Sequence, residues 1–135
     1  MSGGLIAIGF DTGLTAVFDL VQRIRCTCAS EDAYGDVRHK VTALDISHDA
    51  SFLAVGHASG NIFLYDIFDP KEPARYVPPI DKQVLATGLG EGHLPDVPIL
   101  HIHFVSTRKT GFISADANGL CFYHSLGRML GMASN

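Results

Sequence analysis

Three stretches of this chain align without a gap, and that internal repeat limits the fold more than any other feature. They are LIAIGFDTGLTAVFDL (5–20), FLAVGHASGNIFLYDI (52–67) and GFISADANGLCFYHSL (111–126). In each, a short apolar run leads through a small polar triplet into a second apolar run. The triplets Asp11-Thr12-Gly13, Ala58-Ser59-Gly60 and Ala117-Asn118-Gly119 end in the residue that tolerates positive φ, so each stretch reads as a β-hairpin. The turn glycines fall at 13, 60 and 119, giving a unit in the forties that is lengthened the second time by about a dozen residues.

Periods of this size belong to propeller blades or to helical arrays. The short Val, Ile, Leu and Phe runs between glycine-bearing turns are strand material, and no window carries a sustained helical period. A further strand precedes each later hairpin, VTALDIS (41–47) and ILHIHFV (99–105). A less apolar stretch follows the first two, from Arg23 to Cys28 and from Ala74 to Val77. Arginine there suits an outer edge, where charge discourages stray pairing. Four strands per unit make the blade of a β-propeller. The expected fold is therefore all-β: a fragment of two to three four-stranded antiparallel blades, with units at about 4–28, 41–77 and 99–131 and a long insertion at 78–98.

Charge and cysteine usage narrow the function classes. Ten Lys and Arg stand against 14 Asp and Glu, and the basic residues form no stripe, which is the wrong sign and pattern for nucleic acid. With 47% hydrophobic residues the chain can bury a core without staples. Cys26, Cys28 and Cys121 are an odd set with no apolar leader at Met1, pointing to a reducing compartment. The longest apolar runs are far below the ~20 residues of a membrane helix, so contact with a membrane is expected to be peripheral.

The segment from His39 to Asp66 resembles a WD40 repeat, with Tyr65-Asp66 where that family has Trp-Asp, and Phe18-Asp19 in the same place in the first unit. The third unit departs with His124-Ser125, and the acidic residue usual before the turn glycine is replaced by Thr12, Ser59 and Asn118. More specifically, the order IAIGFDTGLTAVFD, VTALDISHDASFLAVGHASGNIFLYDI, ILHIHF and the ending Gly127-Arg128-Met129-Leu130-Gly131 resembles the family of the eighth vacuolar protein sorting subunit, part of the endosomal CORVET tethering complex. The likeness covers nearly all of the chain but only part of that family's amino-terminal propeller. It implies a non-catalytic interaction platform, cytoplasmic and peripheral on the endosome membrane, whose partners are a Rab5-type GTPase and other tethering subunits. No cofactor, nucleic acid or small-molecule substrate is implied.

Two residue pairs invite metal chemistry. His101 and His103 point the same way on a strand, as do Cys26 and Cys28, but neither pair has a third and fourth ligand at any recognisable spacing. Both are read as faces of strands. No set of nucleophile, base and orienter is assignable. A WD40-like scaffold of another assembly, such as a coat or ubiquitin-ligase adaptor, and a metal-dependent hydrolase using His101 and His103 are the alternatives.

The insertion at 78–98 is the one stretch that the repeat does not explain. Pro78, Pro79, Pro95 and Pro98 with Gly88, Gly90 and Gly92 mark a loop, with a short helix around Asp81 to Ala86. It reads either as a partner contact, with Val84, Leu85, Leu89 and His93 as its residues, or as a solvated, mobile insertion. A propeller usually has at least four blades and this chain supplies at most three, beginning inside one, so its end faces lack neighbours. Exposed apolar sheet faces associate. The isolated chain is expected to self-associate or to require a partner, and light scattering showing a monodisperse monomer with a cooperative melt counts against that.

Overall fold

The three hairpins form as the repeat requires, each within its own antiparallel sheet. In the computed structural model the described residues are 4–19, 24–28, 39–88, 90–105 and 111–125. β1 (Ile6–Gly9), β2 (Thr15–Phe18) and β3 (Ile24–Cys28) make the first sheet, in that order. β4 (Val41–Ile46), β5 (Phe52–His57), β6 (Ile62–Asp66) and β7 (Arg75–Val77) make a four-stranded second sheet. β8 (Ile99–Phe104), β9 (Gly111–Asp116) and β10 (Cys121–Ser125) make the third. Between β7 and β8 lies one short helix, α1 (Lys82–Thr87). No helix among the described residues is long and apolar enough to cross a membrane.

The repeat extends to individual hydrogen bonds. At the hairpin tips the amides of Phe10, His57 and Asp116 donate to the carbonyls of Leu14, Asn61 and Leu120, and the amides of Gly13, Gly60 and Gly119 donate back to residues 10, 57 and 116. All three glycines have φ near +90°. Each tip is thus a three-residue loop that needs a left-handed residue before the return strand. The two inner strands share an irregularity as well: register shifts between Val41 and Ala43 in β4 and between Ile99 and His101 in β8.

The sheets stack face to face, with the second in the middle. One of its faces, carrying Ile46, Leu53, Val55, Phe63 and Tyr65, packs on Leu5, Val17 and Cys28 of the first sheet. Its other face, carrying Ala54, Ile62, Leu64 and Val77, packs on Ile99, Ile102, Phe104 and Phe112 of the third. Alternation along β5 and β6 therefore feeds two cores, which is why both strands read as continuously apolar. Asp45 adds a polar tie, its carboxylate accepting from the Phe104 amide at 2.8 Å.

Close approach between sheets depends on two equivalent glycines. A Cβ on Gly9 would lie 2.4 Å from Val41 Cγ1, and one on Gly56 would lie 2.6 Å from Ile99 Cγ2. The third unit has Ala115 at this position, on the face turned away from the stack.

Gly60 and Gly119 share a left-handed backbone but differ in surroundings. A Cβ at Gly60 would meet the Leu94 carbonyl oxygen at 2.7 Å, whereas one at Gly119 meets nothing within 4 Å. Gly119→Ala should cost only the backbone term, about 1–2 kcal/mol. Gly60→Ala should cost about 1–3 kcal/mol more, because the 94–97 turn must move. Urea denaturation of the two variants checks this order.

Candidate functional site

The insertion does not stand free of the sheets. Asp81 caps α1 by accepting from the Val84 amide at 2.8 Å, and Gly88, at φ 70°, closes it with a bond to the Leu85 carbonyl. A six-residue helix has little stability of its own, and none of its residues is buried. What holds the segment is its return path. The Ile80 amide donates to the His93 carbonyl at 2.8 Å, and the Asp96 amide donates to the Ser59 carbonyl at 2.9 Å, seating the 94–97 turn over the second hairpin tip.

This placement divides the four residues proposed for a partner contact. Val84 is exposed and Leu85 half-buried, both on α1. Leu89 lies outside the described residues, as does the Gly127–Gly131 ending. His93 is withdrawn from the set: it is 0% exposed. A histidine among prolines and glycines reads as solvated loop, but here its partners arrive from a strand more than twenty residues later.

Those partners form a polar chain at the junction of the second and third sheets, buried at its middle and part-exposed at Glu91. His93 Nδ1 lies 2.6 Å from Asp116 Oδ2, and His93 Nε2 lies 2.7 Å from Ser114 Oγ. The same Ser114 oxygen lies 2.7 Å from His124 Nε2. His124 Nδ1 contacts Glu91, Glu91 pairs with Arg75, and Arg75 donates to the Ser125 carbonyl at 2.8 Å. The other oxygen of Asp116 accepts the amides of Asn118 and Leu120, so this carboxylate also braces its own hairpin tip. The acidic residue missing before the turn glycine is thus supplied in the third unit from two positions earlier. Phe122 abuts the His93 ring edge-on, and Phe112 lies against His124.

Burial and hydrogen bonding pull in opposite directions on these groups. Burial pushes the His93 imidazole below its ordinary value against the pull of Asp116. Burial would raise the Asp116 carboxyl, but the Leu120 and Asn118 amides and the His93 ring outweigh it and hold that carboxyl low. Glu91 is likewise held low against burial, by His124 and Arg75.

Asp116, His93 and Ser114 follow the atom order of an acyl-transfer triad, a set that the sequence alone did not reveal. The resemblance stops at access. Ser114 is 0% exposed, and both sides of its hydroxyl are taken by imidazoles, so no substrate atom can approach it. The cluster is a fastening between the insertion, β7 and the third sheet. Of its members only His93 was singled out for a role from the sequence; the departure His124-Ser125 was the one other signal.

The remaining candidates lie elsewhere. His101 and His103 are exposed on the outward face of the third sheet, and His103 Nδ1 is 3.9 Å from Asp45. Among the described residues no group of three or more His, Cys, Asp or Glu side chains is placed to hold a metal ion. Cys26 and Cys28 face the first core, and burial, reinforced by Cys26, pushes the Cys28 thiol up to about 12.

Two apolar sheet faces remain open. On the first sheet Ile6 and Ile8, 42% and 44% exposed, border with Phe18 and Asp19 a shallow hollow of about 340 Å³. On the third, Ile113, Cys121 and Tyr123 are exposed beside the two histidines. By repeat position, Ile6, Ile8 and Phe18 match Leu53, Val55 and Tyr65, which the second sheet buries against the first. Ile113, Cys121 and Tyr123 match Ala54, Ile62 and Leu64, which it buries against the third. Both open faces therefore have the composition of blade-to-blade contacts.

A family model described as the Vps8 beta-propeller matches residues 1–135. The vacuolar protein sorting-associated protein 8 homologs of Mus musculus and Homo sapiens are each 30% identical to the chain, over 128 and 130 residues and 95% of its length. The chain spans 8% of the length of either relative. Among solved structures, the Cps50 (Swd1) beta-propeller domain of Myceliophteria thermophila superposes with a TM-score of 0.67 at 15% identity, covering 92% of this chain and 31% of that one. Sqt1 of Chaetomium thermophilum, bound to the N-terminus of ribosomal protein L10, does so at 0.65 and 17%, covering 93% and 29%. The architecture is that of a β-propeller, and the all-β reading of the repeat holds.

The buried histidines make stability depend on pH. His57 is pushed below its ordinary value by burial, although its Nδ1 donates to the His39 carbonyl. In the unfolded chain histidine binds protons below about pH 6.5. The folded chain resists doing so at His57, so this group's contribution to stability falls as pH drops through that range. The decrease in Tm between pH 7 and pH 5 should be smaller in His57→Gln than in the parent, as scanning calorimetry would show.

Proposed function

Since this chain belongs to the Vps8 beta-propeller family, we propose that it serves vacuolar protein sorting as a non-catalytic platform for protein contacts. The observation that carries this is the family match over residues 1–135. In this proposal the chain belongs to a CORVET tethering subunit on the cytoplasmic side of the endosome membrane, where it engages an activated Rab5-type GTPase and its fellow subunits. Membrane contact is through those partners. The sealed Ser114 supports a non-catalytic reading, because the one triad-like arrangement among the described residues is closed to substrate.

The proposed contact surface includes α1. Val84 and Leu85 sit on a short helix whose ends are held by the Asp81 cap and by the seated 91–97 return, so an apolar patch is presented in a fixed place. Rigid presentation lowers the ordering cost of binding. A mobile loop could not do this.

Capture by the full-length protein of a Rab5-type GTPase loaded with GTP or GDP tests the reading. Several-fold greater recovery of the GTP form is expected, and equal recovery in both states would sink it. Within that assay Val84→Asp should lower capture without lowering Tm, and unchanged capture would remove α1 from the contact. Deleting Lys82 to Leu94 is a poorer experiment, because it also removes Glu91 and His93 and so dismantles the junction between sheets.

A further inference from the structure

The hydrogen atoms of the buried chain can be counted, because its ends are fixed. Asp116 accepts two backbone amides, and Glu91 accepts the Arg75 guanidinium, so both carboxyls are ionised and can only accept. Each must therefore receive its hydrogen from the imidazole beside it, which places one hydrogen on Nδ1 of His93 and one on Nδ1 of His124. If both rings were otherwise neutral, each would present a bare Nε2 lone pair to Ser114.

Ser114 Oγ lies 2.7 Å from both of those nitrogens but has a single hydrogen to give. It can satisfy one ring only. The second contact would then set lone pair against lone pair inside a site without water access, where an unmet polar group is costly. The conflict disappears when one ring carries a hydrogen on Nε2 as well and donates it to Ser114, while Ser114 donates to the other.

We propose that this cluster is a proton-binding site holding one imidazolium, on His124, with Ser114 passing the hydrogen bond to a neutral His93. Charge balance supports the assignment. Arg75 from β7 and His124 from β10, both on Glu91 of the insertion, then offset Glu91 and Asp116 of β9, two cations against two carboxylates, with Ser114 and His93 neutral between His124 and Asp116. Without the extra proton the cluster would hold one cation against two carboxylates, one of them, Asp116, buried, an imbalance that buried ion networks avoid. His124 rather than His93 takes the cation because its ring meets Glu91, the part-exposed carboxylate of the pair, whereas His93 and Asp116 are both sealed from water and burial disfavours a charged His93. The proton is thus part of what fastens the 91–97 segment, and with it α1, to the third sheet.

Long-range 1H–15N spectra of the uniformly labelled chain at pH 7 test this, with His124 identified by its proximity to Phe112, since Phe122 lies near both rings. The ring near Phe112, His124, should show two protonated nitrogens. His93 should show a protonated Nδ1 and a pyridine-type Nε2. Two neutral rings, or the cation on His93, would overturn the proposal. In Glu91→Gln, which removes the counter-charge but keeps an acceptor, the His124 ring should revert to a single protonated nitrogen, and unchanged His124 signals would also overturn it. If that variant does not fold, the parent spectrum decides alone.

Discussion

Everything in this structure depends on the second sheet being buried on both faces. Leu53, Val55, Phe63 and Tyr65 go to one side and Ala54, Ile62 and Leu64 to the other, all but excluded from water. Burial of a large aliphatic or aromatic side chain contributes about 1.5–3 kcal/mol, and a sheet with two dry faces collects that contribution along every strand. Neither outer sheet is buried twice. Their outward faces keep residues of the same character exposed, so the stacking rule that builds the middle of the molecule also leaves both ends ready to be covered.

The spacing between sheets is set by small residues as much as by large ones. Gly9 and Gly56 let Val41 and Ile99 of the following sheet approach to distances that a side chain would forbid. Ala115 holds the equivalent place on the outward face of the third sheet. A further blade could not seat a Val or Ile there in the same way, so whatever covers that face must present something smaller or sit farther off. The two open ends are therefore not interchangeable copies of the interior contacts.

Much of this was legible in the sequence because it is local. A hairpin tip needs its left-handed residue within a few positions of the strands it joins, and apolar alternation reports which faces are dry. Hence the three hairpins, both outer strands, both inner strands and a short helix near Asp81 were all readable. The buried polar chain was not. Arg75, Glu91, His93, Ser114, Asp116 and His124 share no spacing rule, since each pairing is made by the stacking of sheets and the return of the insertion. Read singly, Glu91 and His93 are loop residues, and Ser114 and Asp116 belong to a strand and its turn.

By itself the sequence determined the repeat, the strands, the turns and the family to which they belong, since these rest on the order of neighbouring residues. Tertiary structure alone decided which polar groups met. It placed His93 in the interior rather than at a partner surface, left His101 and His103 in the open, and sealed the one triad-like set from substrate. The physical reason is that hydrophobic patterning specifies a face, whereas a hydrogen bond specifies two atoms within about 3 Å. Only the assembled stack of sheets brings such atoms together across the chain.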